Sequence, residues 1–471
     1  MRFSELDGAA IGVWGAGREI SSFADQLARR LPSARILVAA FDSSPPEDVR
    51  ETLRAPDVRI VTGAEIVPAL SACEVVVRSP GVSIYRPELR AVREGGTPVT
   101  TATALWLAQR GGEGVIGITG TKGKSTTAAL AHHLARAAGR SSQLAGNIGV
   151  PALDLLDSEP AQVTVLELSS YHIADLEIGP EVAVVTNVFR EHTDWHGSEQ
   201  TYRADKLRLL GLPGVHVAVI NGRDPGLTEA LAVPASTLAN PDAASRAVHH
   251  QLDGIVETIT YGVPVSWDVR DGGIAFRGEL VASAAELPLR GEHNALNLCG
   301  ALAALAARGI EPRLPESLDG FQPLAHRLET VVERQGVLWV NDSISTTPES
   351  TIAALASFPG REIVLIGGGQ DRGQSFTELG RVIAERGVTV VGVPSTGPTL
   401  IAAARSAGVV AARALEAANL AQAVAWAAEM AGPRAVVLLS PAAPSYDHYA
   451  DFEQRGERFR ALAISARCAG P

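Results

Sequence analysis

The sequence is poor in cysteine and has no long apolar run. Its three cysteines, Cys73, Cys299 and Cys468, are widely spaced and form no CxxC pair, which excludes a disulfide framework and a zinc knuckle and predicts buried or incidental thiols. No stretch reaches the length of about 18 apolar residues that a membrane-spanning helix needs, and the first residues lack a basic region followed by an apolar one. We therefore expect a cytoplasmic protein without membrane insertion.

Positive charge is also in deficit. Lysine and arginine number 41 against 52 aspartates and glutamates, so the net charge is −11. No overall positive field attracts nucleic acid or an anionic membrane. We expect no nucleic-acid partner, and any anionic ligand must be bound by local groups.

The composition that remains is typical of a glycine-rich α/β enzyme. Apolar residues make up 46% of the 471 residues and 46 residues are glycine, and the length indicates about three domains. Short apolar runs alternate with polar helical stretches, which predicts parallel strands joined by crossover helices. Three such series follow one another, over 1–108, 109–318 and 319–471.

The middle series carries an additional pattern. Apolar residues alternate with polar ones at Val263, Val265, Trp267 and Val269 and again at 274–276. This alternation predicts short antiparallel strands inserted in an otherwise parallel α/β domain.

A glycine-rich segment lies between the predicted strand 115–119 and a helical pattern over 127–138. Backbone N–H groups converge at such a turn and bind phosphates, Lys124 would reach the β- and γ-phosphates, and Ser125 can ligate Mg²⁺. The spacing is shorter than the usual P-loop pattern because Ile118 occupies the first glycine position. The alternative is a glycine-rich turn with a solvated lysine. The segment consists of Gly120, Thr121, Lys122, Gly123, Lys124, Ser125 and Thr126.

A second glycine pair, Gly15 and Gly17, follows the first predicted strand. Ile20 stands where the dinucleotide-binding pattern has its third glycine, so the indication of NAD binding is weak. The turn is either a backbone site for a nucleotide's phosphates or a purely structural connection.

Several polar residues of the middle series invite a functional interpretation. Glu167 ends a predicted strand beside the phosphate loop, where a carboxylate either holds Mg²⁺ or forms a structural ion pair. His192 either ligates a second metal or caps its loop. Lys206 lies in a helical stretch, and composition alone would place it on the surface. Asn294 and Asn297 share a helix face and either contact a nucleotide or cap the helix.

Taken together, these residues resemble the Mur ligase family, the ATP-dependent amide-forming enzymes of peptidoglycan precursor synthesis. The resemblance covers nearly the whole chain and implies an α/β fold of three domains: a Rossmann-like N-terminal domain for a UDP-substrate, a central P-loop ATPase domain with a parallel sheet and a small antiparallel insertion, and a Rossmann-like C-terminal domain for an amino acid. The motifs that carry it are Gly120-Thr-x-Gly-Lys-Ser-Thr, Glu167-Leu-Ser-Ser, Asn187 to His192, Tyr-Arg-Ala-x-Lys206, His293-Asn-x-x-Asn297, His326-Arg327, Asn341-Asp342-Ser343 and Leu439-Ser-Pro-Ala.

Within the family, the chain resembles the branch that joins glutamate to UDP-N-acetylmuramoyl-L-alanine. The segments that match this branch are Ser79-Pro80-Gly81, His326-Arg327-Leu-Glu and 440–459. The implied reaction has two steps: the substrate carboxylate attacks the γ-phosphate of ATP to give an acyl phosphate and ADP, and the glutamate amine then displaces phosphate. The resemblance implies ATP, two Mg²⁺ ions and a carbamylated Lys206, and we expect a monomer.

The resemblance also assigns roles to individual residues. The catalytic residues would be Lys124, Glu167, His192 and Lys206. ATP would be bound by the phosphate loop 120–126 and by Asn294, Asn297, Arg327 and Asp342. Metal would be held by Ser125, Glu167, His192 and the carbamate of Lys206. The UDP-substrate would contact Gly15, Gly17, Asp42, Ser79, Pro80, Gly81, Asn147 and Ser169, and glutamate would contact Thr346, Arg372, Ser445 and Phe452.

One segment departs from the family pattern. After Asn341-Asp342-Ser343 the family usually continues Lys-Ala-Thr-Asn, whereas this chain continues Ile344-Ser-Thr-Thr, so an ammonium near the bound glutamate is replaced by an aliphatic group that cannot pair with a carboxylate. This segment, with Trp14-Gly-x-Gly-Arg18, resembles members that add L-glutamate and leave inversion to a separate epimerase. We therefore favour L-glutamate over D-glutamate. A folylpolyglutamate-synthase-like ligase and a non-ligating ATP-binding module stay as alternatives, although such synthases usually lack the N-terminal α/β unit.

Overall fold

The computed structural model describes residues 1–42, 45–189, 191–232, 257–289 and 291–466. The chain forms two compact units, the first of residues 1–287 and 296–321 and the second of residues 288–295 and 322–471. None of the helices in the described ranges has the length and apolar character needed to cross a membrane. Cys73 and Cys299 are buried free thiols, as predicted, and Cys468 lies outside the described residues.

The first unit begins with a five-stranded parallel sheet of order β3-β2-β1-β4-β5. Its inner strands are apolar on both faces because helices cover both sides. The strands are β1 (Ala10–Trp14), β2 (Arg35–Phe41), β3 (Arg59–Thr62), β4 (Val75–Arg78) and β5 (Val99–Thr100), and the helices are α1 (Arg18–Arg30), α2 (Val49–Thr52), α3 (Ile66–Ser71), α4 (Pro87–Glu94) and α5 (Ala102–Arg110).

A six-stranded parallel sheet of order β11-β10-β9-β6-β8-β7 follows in the same unit. Its strands are β6 (Val115–Thr119), β7 (Ser142–Gly146), β8 (Val163–Glu167), β9 (Val182–Val185), β10 (Val217–Asn221) and β11 (Glu257–Tyr261). The helices of this part of the chain are α6 (Lys124–Ala137), α7 (Ser170–Ile173), α8 (Thr193–His196), α9 (Glu199–Leu207), α10 (Pro225–Ala232) and α11 (Glu292–Ala306).

The predicted antiparallel insertion is present as a three-stranded sheet of β12 (Trp267–Arg270), β13 (Gly273–Phe276) and β14 (Glu279–Ala282). The interpretation of Val263 and Val265 as strand residues is wrong. Gly262 has φ +75° and Ser266 N–H donates to the Val263 carbonyl, so these residues form a turn, in which Val265 is 79% exposed. Residues 233–256, within the same stretch, lie outside the described ranges.

The second unit is built on a six-stranded sheet of order β15-β16-β20-β17-β18-β19, parallel except for the antiparallel pair β15 and β16. The strands are β15 (Glu329–Arg334), β16 (Val337–Asn341), β17 (Ile363–Gly367), β18 (Thr389–Gly392), β19 (Ala414–Glu416) and β20 (Val436–Leu439). The helices are α12 (Pro348–Ala356), α13 (Thr377–Glu385), α14 (Gly397–Ser406), α15 (Leu420–Met430) and α16 (Phe452–Ser465).

The three large sheets place the candidate residues in a common way. In open parallel sheets, ligands bind beyond the carboxyl ends of the strands. Most of the candidate residues directly follow β1, β2, β4, β6, β8, β16, β17 or β20.

Candidate functional site

The phosphate loop connects β6 to α6 and leaves no room for side chains at its two glycines. Gly120 has φ +153° and Gly123 has φ +84°. A Cβ atom at Gly120 would lie 1.8 Å from Thr186 Oγ1, and one at Gly123 would lie 2.3 Å from Asn297 Oδ1. The loop is therefore a tight turn ending at the N-terminus of a 14-residue helix, an arrangement that suits an anion.

The residues that follow β9 hold this loop in place. Asn187 accepts a hydrogen bond from the Lys122 backbone N–H (2.8 Å) through Oδ1 and donates one to the Lys122 carbonyl (2.9 Å). The Thr186 hydroxyl donates to the same carbonyl (2.6 Å), and the Asn187 carbonyl accepts from Thr121 N–H (2.9 Å). These bonds pre-form the loop. The sequence motif included Asn187, but its hydrogen-bonding role could not be read from the sequence.

The two lysines of the loop have different partners. Lys122 Nζ forms an ion pair with Glu191 Oε1 (2.7 Å), whereas Lys124 Nζ donates to the Thr121 carbonyl (3.1 Å). Burial raises the pKa of Glu191, but Lys122, His192 and Lys124 outweigh it and hold that pKa below its usual value. The anionic Glu191, which the sequence interpretation did not single out, lies next to His192.

Glu167 ends β8 and is fully buried. Its Oε1 accepts a hydrogen bond from Asn147 Nδ2 (3.0 Å), and its Oε2 has no hydrogen-bond partner among the described residues. A buried carboxylate oxygen without a partner is costly unless a cation occupies the site. This orphaned oxygen fits the predicted metal ligand better than the alternative of a structural ion pair.

His192 directly precedes α8 as its N-cap residue and has left-handed backbone angles, φ +54° and ψ +33°. Burial lowers the pKa of its imidazole to about 4, and the positive charge of Lys124 acts in the same direction against the opposing effect of Glu191. The ring is therefore neutral near pH 7, which is the form that ligates a metal.

Lys206 is buried, so the interpretation from composition alone, which placed it on the surface, is wrong. Its Nζ donates to the Gly120 carbonyl (2.9 Å) and lies 5.0 Å from the centre of the Tyr202 ring. Burial, together with the charge of Lys124, lowers the pKa of this amine well below its usual value. Only the family motif Tyr-Arg-Ala-x-Lys206 indicated that Lys206 is not an ordinary surface lysine.

These residues provide only part of a metal coordination shell. Within the described ranges, no three His, Cys, Asp or Glu side chains come close enough together to hold a metal ion. Glu167 and His192 would therefore need other donors, such as the Ser125 hydroxyl, an oxygen added to Lys206, or phosphate oxygens.

The predicted UDP-substrate residues Gly15, Gly17 and Ser79 lie together beyond the carboxyl ends of β1 and β4. Gly15 has φ +89°, and its Cβ would lie 2.9 Å from the Ser79 Cβ, while a Cβ at Gly17 would lie 3.5 Å from Ser79 Oγ. Ser79 N–H donates to the Trp14 carbonyl (2.8 Å). The order of strands reverses between β1 and β4, which is the usual place for a ligand in such a sheet.

Asp42 follows β2 at the same edge. Its carboxylate accepts a hydrogen bond from Trp14 Nε1 (3.2 Å) and pairs with Arg86 (2.7 Å). The Arg86 guanidinium also lies 5.0 Å from the centre of the Trp14 ring. Arg86 lies outside the recognised motifs and was not predicted to belong to this site.

The segment Ser79-Pro80-Gly81 is held by two buried side chains. Arg78 Nη1 donates to the carbonyls of Ser79 (3.2 Å) and Pro80 (3.1 Å), and its Nε pairs with Asp175. Trp195 Nε1 donates to the carbonyls of Pro80 (3.2 Å) and Gly81 (3.1 Å). The positions of these carbonyls thus depend on residues of the central part of the chain.

Asn147 contacts Glu167, and Ser169 follows Glu167 by two residues. Asn147 N–H donates to the Glu167 carbonyl (3.0 Å), and the Ser169 hydroxyl lies 2.6 Å from His172 Nδ1. His172 Nε2 in turn contacts the buried carboxylate of Glu19. These contacts connect Ser169 to Glu19 of α1, a connection that no sequence pattern predicted.

In the second unit, Asn294, Arg327 and Asp342 come from three separate segments. Asp342 Oδ1 accepts from Leu328 N–H (3.2 Å) and Oδ2 accepts from Ser440 Oγ (2.8 Å). Burial raises the pKa of Asp342 to about 6, with Arg327 acting against it. Asn294 is buried at the start of α11, next to His293, whose pKa burial and Arg327 lower to about 4.

The predicted glutamate residues Thr346, Arg372, Ser445 and Phe452 follow β16, β17 and β20. Ser343 Oγ donates to the Phe452 carbonyl (2.8 Å), and Arg372 lies 5.7 Å from the ring centre of Tyr446. Ser445 is buried, whereas Arg372 is exposed.

Arg455 of α16 connects the backbone segments around these residues. It is buried, and its guanidinium donates to the Ser343 carbonyl (2.8 Å) and hydroxyl (3.0 Å) and to the carbonyls of Ala443 (3.0 Å) and Pro444 (3.2 Å). Arg455 was not among the predicted site residues, although it lies within the segment 440–459 that matches the glutamate-adding branch.

Comparisons with known proteins agree with this geometry. Residues 118–305 match the Mur ligase middle domain, and residues 326–443 match the Mur ligase glutamate ligase domain. Proteins named UDP-N-acetylmuramoyl-L-alanine–L-glutamate ligase from Micromonospora sp. and Salinispora tropica are 42% and 40% identical over 98% of this chain, covering 97% and 98% of those proteins. The crystal structure of the MurF ligase of Thermotoga maritima in complex with ADP shares the fold, with a TM-score of 0.57 at 18% identity over 98% of this chain and 96% of that one. This chain belongs to the Mur ligase family.

Proposed function

We propose that this chain is an ATP-dependent ligase that joins L-glutamate to UDP-N-acetylmuramoyl-L-alanine and releases ADP and phosphate. The observation that carries the proposal is that relatives about 40% identical over 98% of the chain bear this activity in their names. The pre-formed phosphate loop with Glu167 and Lys206 beside it supports the ATP-dependent part.

ATP would bind with its phosphates at residues 120–126, where Lys124 would offset charge on the transferring phosphoryl group. Asn294, Asn297, Arg327 and Asp342 would contact the nucleotide. Ser125, Glu167 and His192 would hold Mg²⁺, and the orphaned Oε2 of Glu167 supports this role. When bound, the metal would supply positive charge against the phosphate oxygens.

Lys206 would be carbamylated. Its neutral amine would attack the carbon of CO₂, so that an N–C bond forms, one C=O pair moves onto oxygen and a proton leaves to water. The amine's burial, its low pKa and its neutral acceptor, the Gly120 carbonyl, support this reaction. The product would provide an anionic oxygen that suits Mg²⁺.

The UDP-substrate would be bound at Gly15, Gly17, Asp42 and Ser79-Pro80-Gly81, with Asn147 and Ser169 towards its reacting end. The convergence of Gly15, Gly17 and Ser79 at the strand-order reversal supports this assignment. The amino acid would be bound by Thr346, Arg372, Ser445 and Phe452. These roles correspond to a division of the chain into residues 1–108, 109–318 and 319–471.

The choice of L-glutamate rests on two observations: the names of the relatives specify it, and Ile344 stands where the family pattern usually has a lysine. A separate epimerase would then have to invert the glutamyl centre after ligation. We propose that the protein acts as a monomer in the cytoplasm.

The test is ADP release by the purified protein with ATP, Mg²⁺ and UDP-N-acetylmuramoyl-L-alanine, with either L- or D-glutamate. Turnover with L-glutamate alone is expected. Turnover with D-glutamate alone would overturn the stereochemical choice, and turnover only with a reduced folate would favour the folylpolyglutamate-synthase-like alternative. ADP release that depends on none of these acceptors would indicate a non-ligating ATP-binding module.

A further inference from the structure

A buried chain of polar side chains runs through the first unit beside the phosphate loop. Ser170 Oγ lies 2.9 Å from His196 Nε2, His196 Nδ1 lies 2.6 Å from Asp205 Oδ2, and Tyr85 Oη donates to both Asp205 oxygens at 2.8 Å. Ser170 and His196 are each 2% exposed and Asp205 is 8% exposed. Ser170, His196 and Asp205 are bonded in the same order as a hydrolase triad, but the buried Ser170 is inaccessible to a substrate. This hydrogen-bonded series of side chains therefore needs another explanation.

Three of these side chains, those of Ser170, His196 and Asp205, lie close in sequence to residues expected to hold metal. Ser170 begins α7 three residues after Glu167, and His196 ends α8, which His192 directly precedes. Asp205 directly precedes Lys206 in α9. The hydrogen bonds of Ser170, His196 and Asp205 therefore join the three segments that carry Glu167, His192 and Lys206.

The geometry of α9 shows how Asp205 acts on Lys206. Successive helical residues point about 100° apart, so the two side chains leave the helix in different directions. On one side of α9, Asp205 contacts His196 and Tyr85. On another side, Lys206 contacts the Gly120 carbonyl, and Tyr202 contacts Thr121 Oγ1 (2.8 Å). The helix is thus fixed on one side by the phosphate loop and on another by the His196–Asp205 pair.

We propose that His196 and Asp205 are positioning residues that hold the segments of Glu167, His192 and Lys206 in the arrangement needed for metal and carbamate. Neither residue contacts substrate or metal in this role. The inference rests on the proposed function of those three residues. Groups that orient metal ligands typically change metal affinity or activity by about 10- to 100-fold when they are removed.

The test compares two histidines that each bond one serine within the first unit. His196→Leu removes the bonds to Ser170 and Asp205, and His132→Leu removes the bond from His132 Nδ1 to Ser142 Oγ (3.0 Å), outside the segments that carry Glu167, His192 and Lys206. We expect His196→Leu and Asp205→Leu to lower kcat by roughly 10- to 100-fold with little change in KM for glutamate. We expect Asp205→Asn, which keeps an acceptor oxygen, to recover much of the loss and His132→Leu to match the wild type.

Two measurements without turnover separate positioning from general destabilisation. The carbamate carbon is observed by ¹³C NMR in protein equilibrated with ¹³C-bicarbonate, and metal affinity is measured by Mn²⁺ titration. Both should fall in His196→Leu and Asp205→Leu but not in His132→Leu. Where a leucine variant does not fold, the corresponding alanine variant, which also lacks the hydrogen-bonding group and is checked by its unfolding midpoint, takes its place.

The possible failures can be told apart. Wild-type kcat, carbamate signal and Mn²⁺ affinity in both Asp205→Leu and His196→Leu, or in the alanine variants that replace them, would overturn the inference. A wild-type protein without a carbamate signal would overturn the carbamylation of Lys206, while Mn²⁺ affinity would still decide the positioning role. A wild-type protein without ligase turnover would overturn the proposed reaction, and the Mn²⁺ comparison would again decide the inference.

Discussion

At the scale of single residues, the site is marked by buried ionisable groups whose partners are neutral or missing. Glu167 Oε2 has no partner in the described part of the chain, and Lys206 donates to a backbone carbonyl. Such groups cost folding free energy that hydrophobic substitutes would not. Their presence beside a phosphate loop is therefore better explained by ligands than by stability.

Glu19 gives a prediction on pH. Burial raises the pKa of its carboxyl, but His172 and Thr103 outweigh this, so the folded pKa lies below the ordinary 4.5. A lowered carboxyl pKa contributes stability that is present above the unfolded pKa and lost as the pH falls through the folded value. We expect the unfolding midpoint of the wild type to fall more steeply below about pH 4.5 than that of Glu19→Gln.

The control is Glu5→Gln, because Glu5 also has a basic partner, Arg2, but lies on the surface. Urea or thermal unfolding midpoints at pH 7 and pH 4 provide the measurement. Equal acid sensitivity of the wild type and Glu19→Gln would contradict the prediction.

At the scale of elements, the buried parallel strands were predictable, whereas the edge strands β7 and β15 were not. The inner strands β6, β8 and β9 are continuous apolar runs because both of their faces are covered. The edge strands β7 and β15 are half-exposed and polar, so they give no such run. Their pairing is set by the neighbouring strand, which local sequence does not encode.

The phosphate loop gives a prediction about ATP affinity. Gly123→Ala places a Cβ 2.3 Å from Asn297 Oδ1 at φ +84°, whereas Gly139→Ala, at φ +77° beyond the other end of α6, meets nothing within 4 Å. Both variants carry left-handed strain of about 1 to 2 kcal/mol. We expect only Gly123→Ala to weaken ATP binding, by about tenfold or more, as measured by calorimetric titration with a non-hydrolysable ATP analogue. Equal affinities of the two variants would show that the close approach does not matter.

At the scale of the whole molecule, residues distant in sequence converge on each site. The motifs placed Gly15, Gly17 and Ser79 in one site, and the first sheet brings them together. The polar pairs Glu19–His172 and His196–Asp205 were not predicted because no periodicity or motif links the two partners of each pair. A periodic pattern in the sequence indicates which residues are repeatedly buried along an element. A single polar contact between two segments forms only when the whole fold brings those segments together.

The first unit also contains a buried ion pair whose loss should be costly. Arg78 is fully buried and pairs with Asp175, which is 3% exposed and also contacts Arg93 (2.7 Å). Removing one partner of a buried pair leaves an uncompensated charge and costs about 3 to 5 kcal/mol. We expect Asp175→Asn to lower the free energy of unfolding of this unit by that amount, as measured in urea. Asp25→Asn, which breaks the surface pair with Arg54, should change it little.

The indole of Trp195 has a consequence for experiments. It is stacked on Tyr171 with ring centres 4.6 Å apart, and its N–H bonds the carbonyls of Pro80 and Gly81. Any molecule that shifts those carbonyls changes the electrostatic environment of a buried fluorophore. The fluorescence of Trp195 should therefore change when a ligand binds beside Pro80 and Gly81, and this change can be followed in titrations without a label.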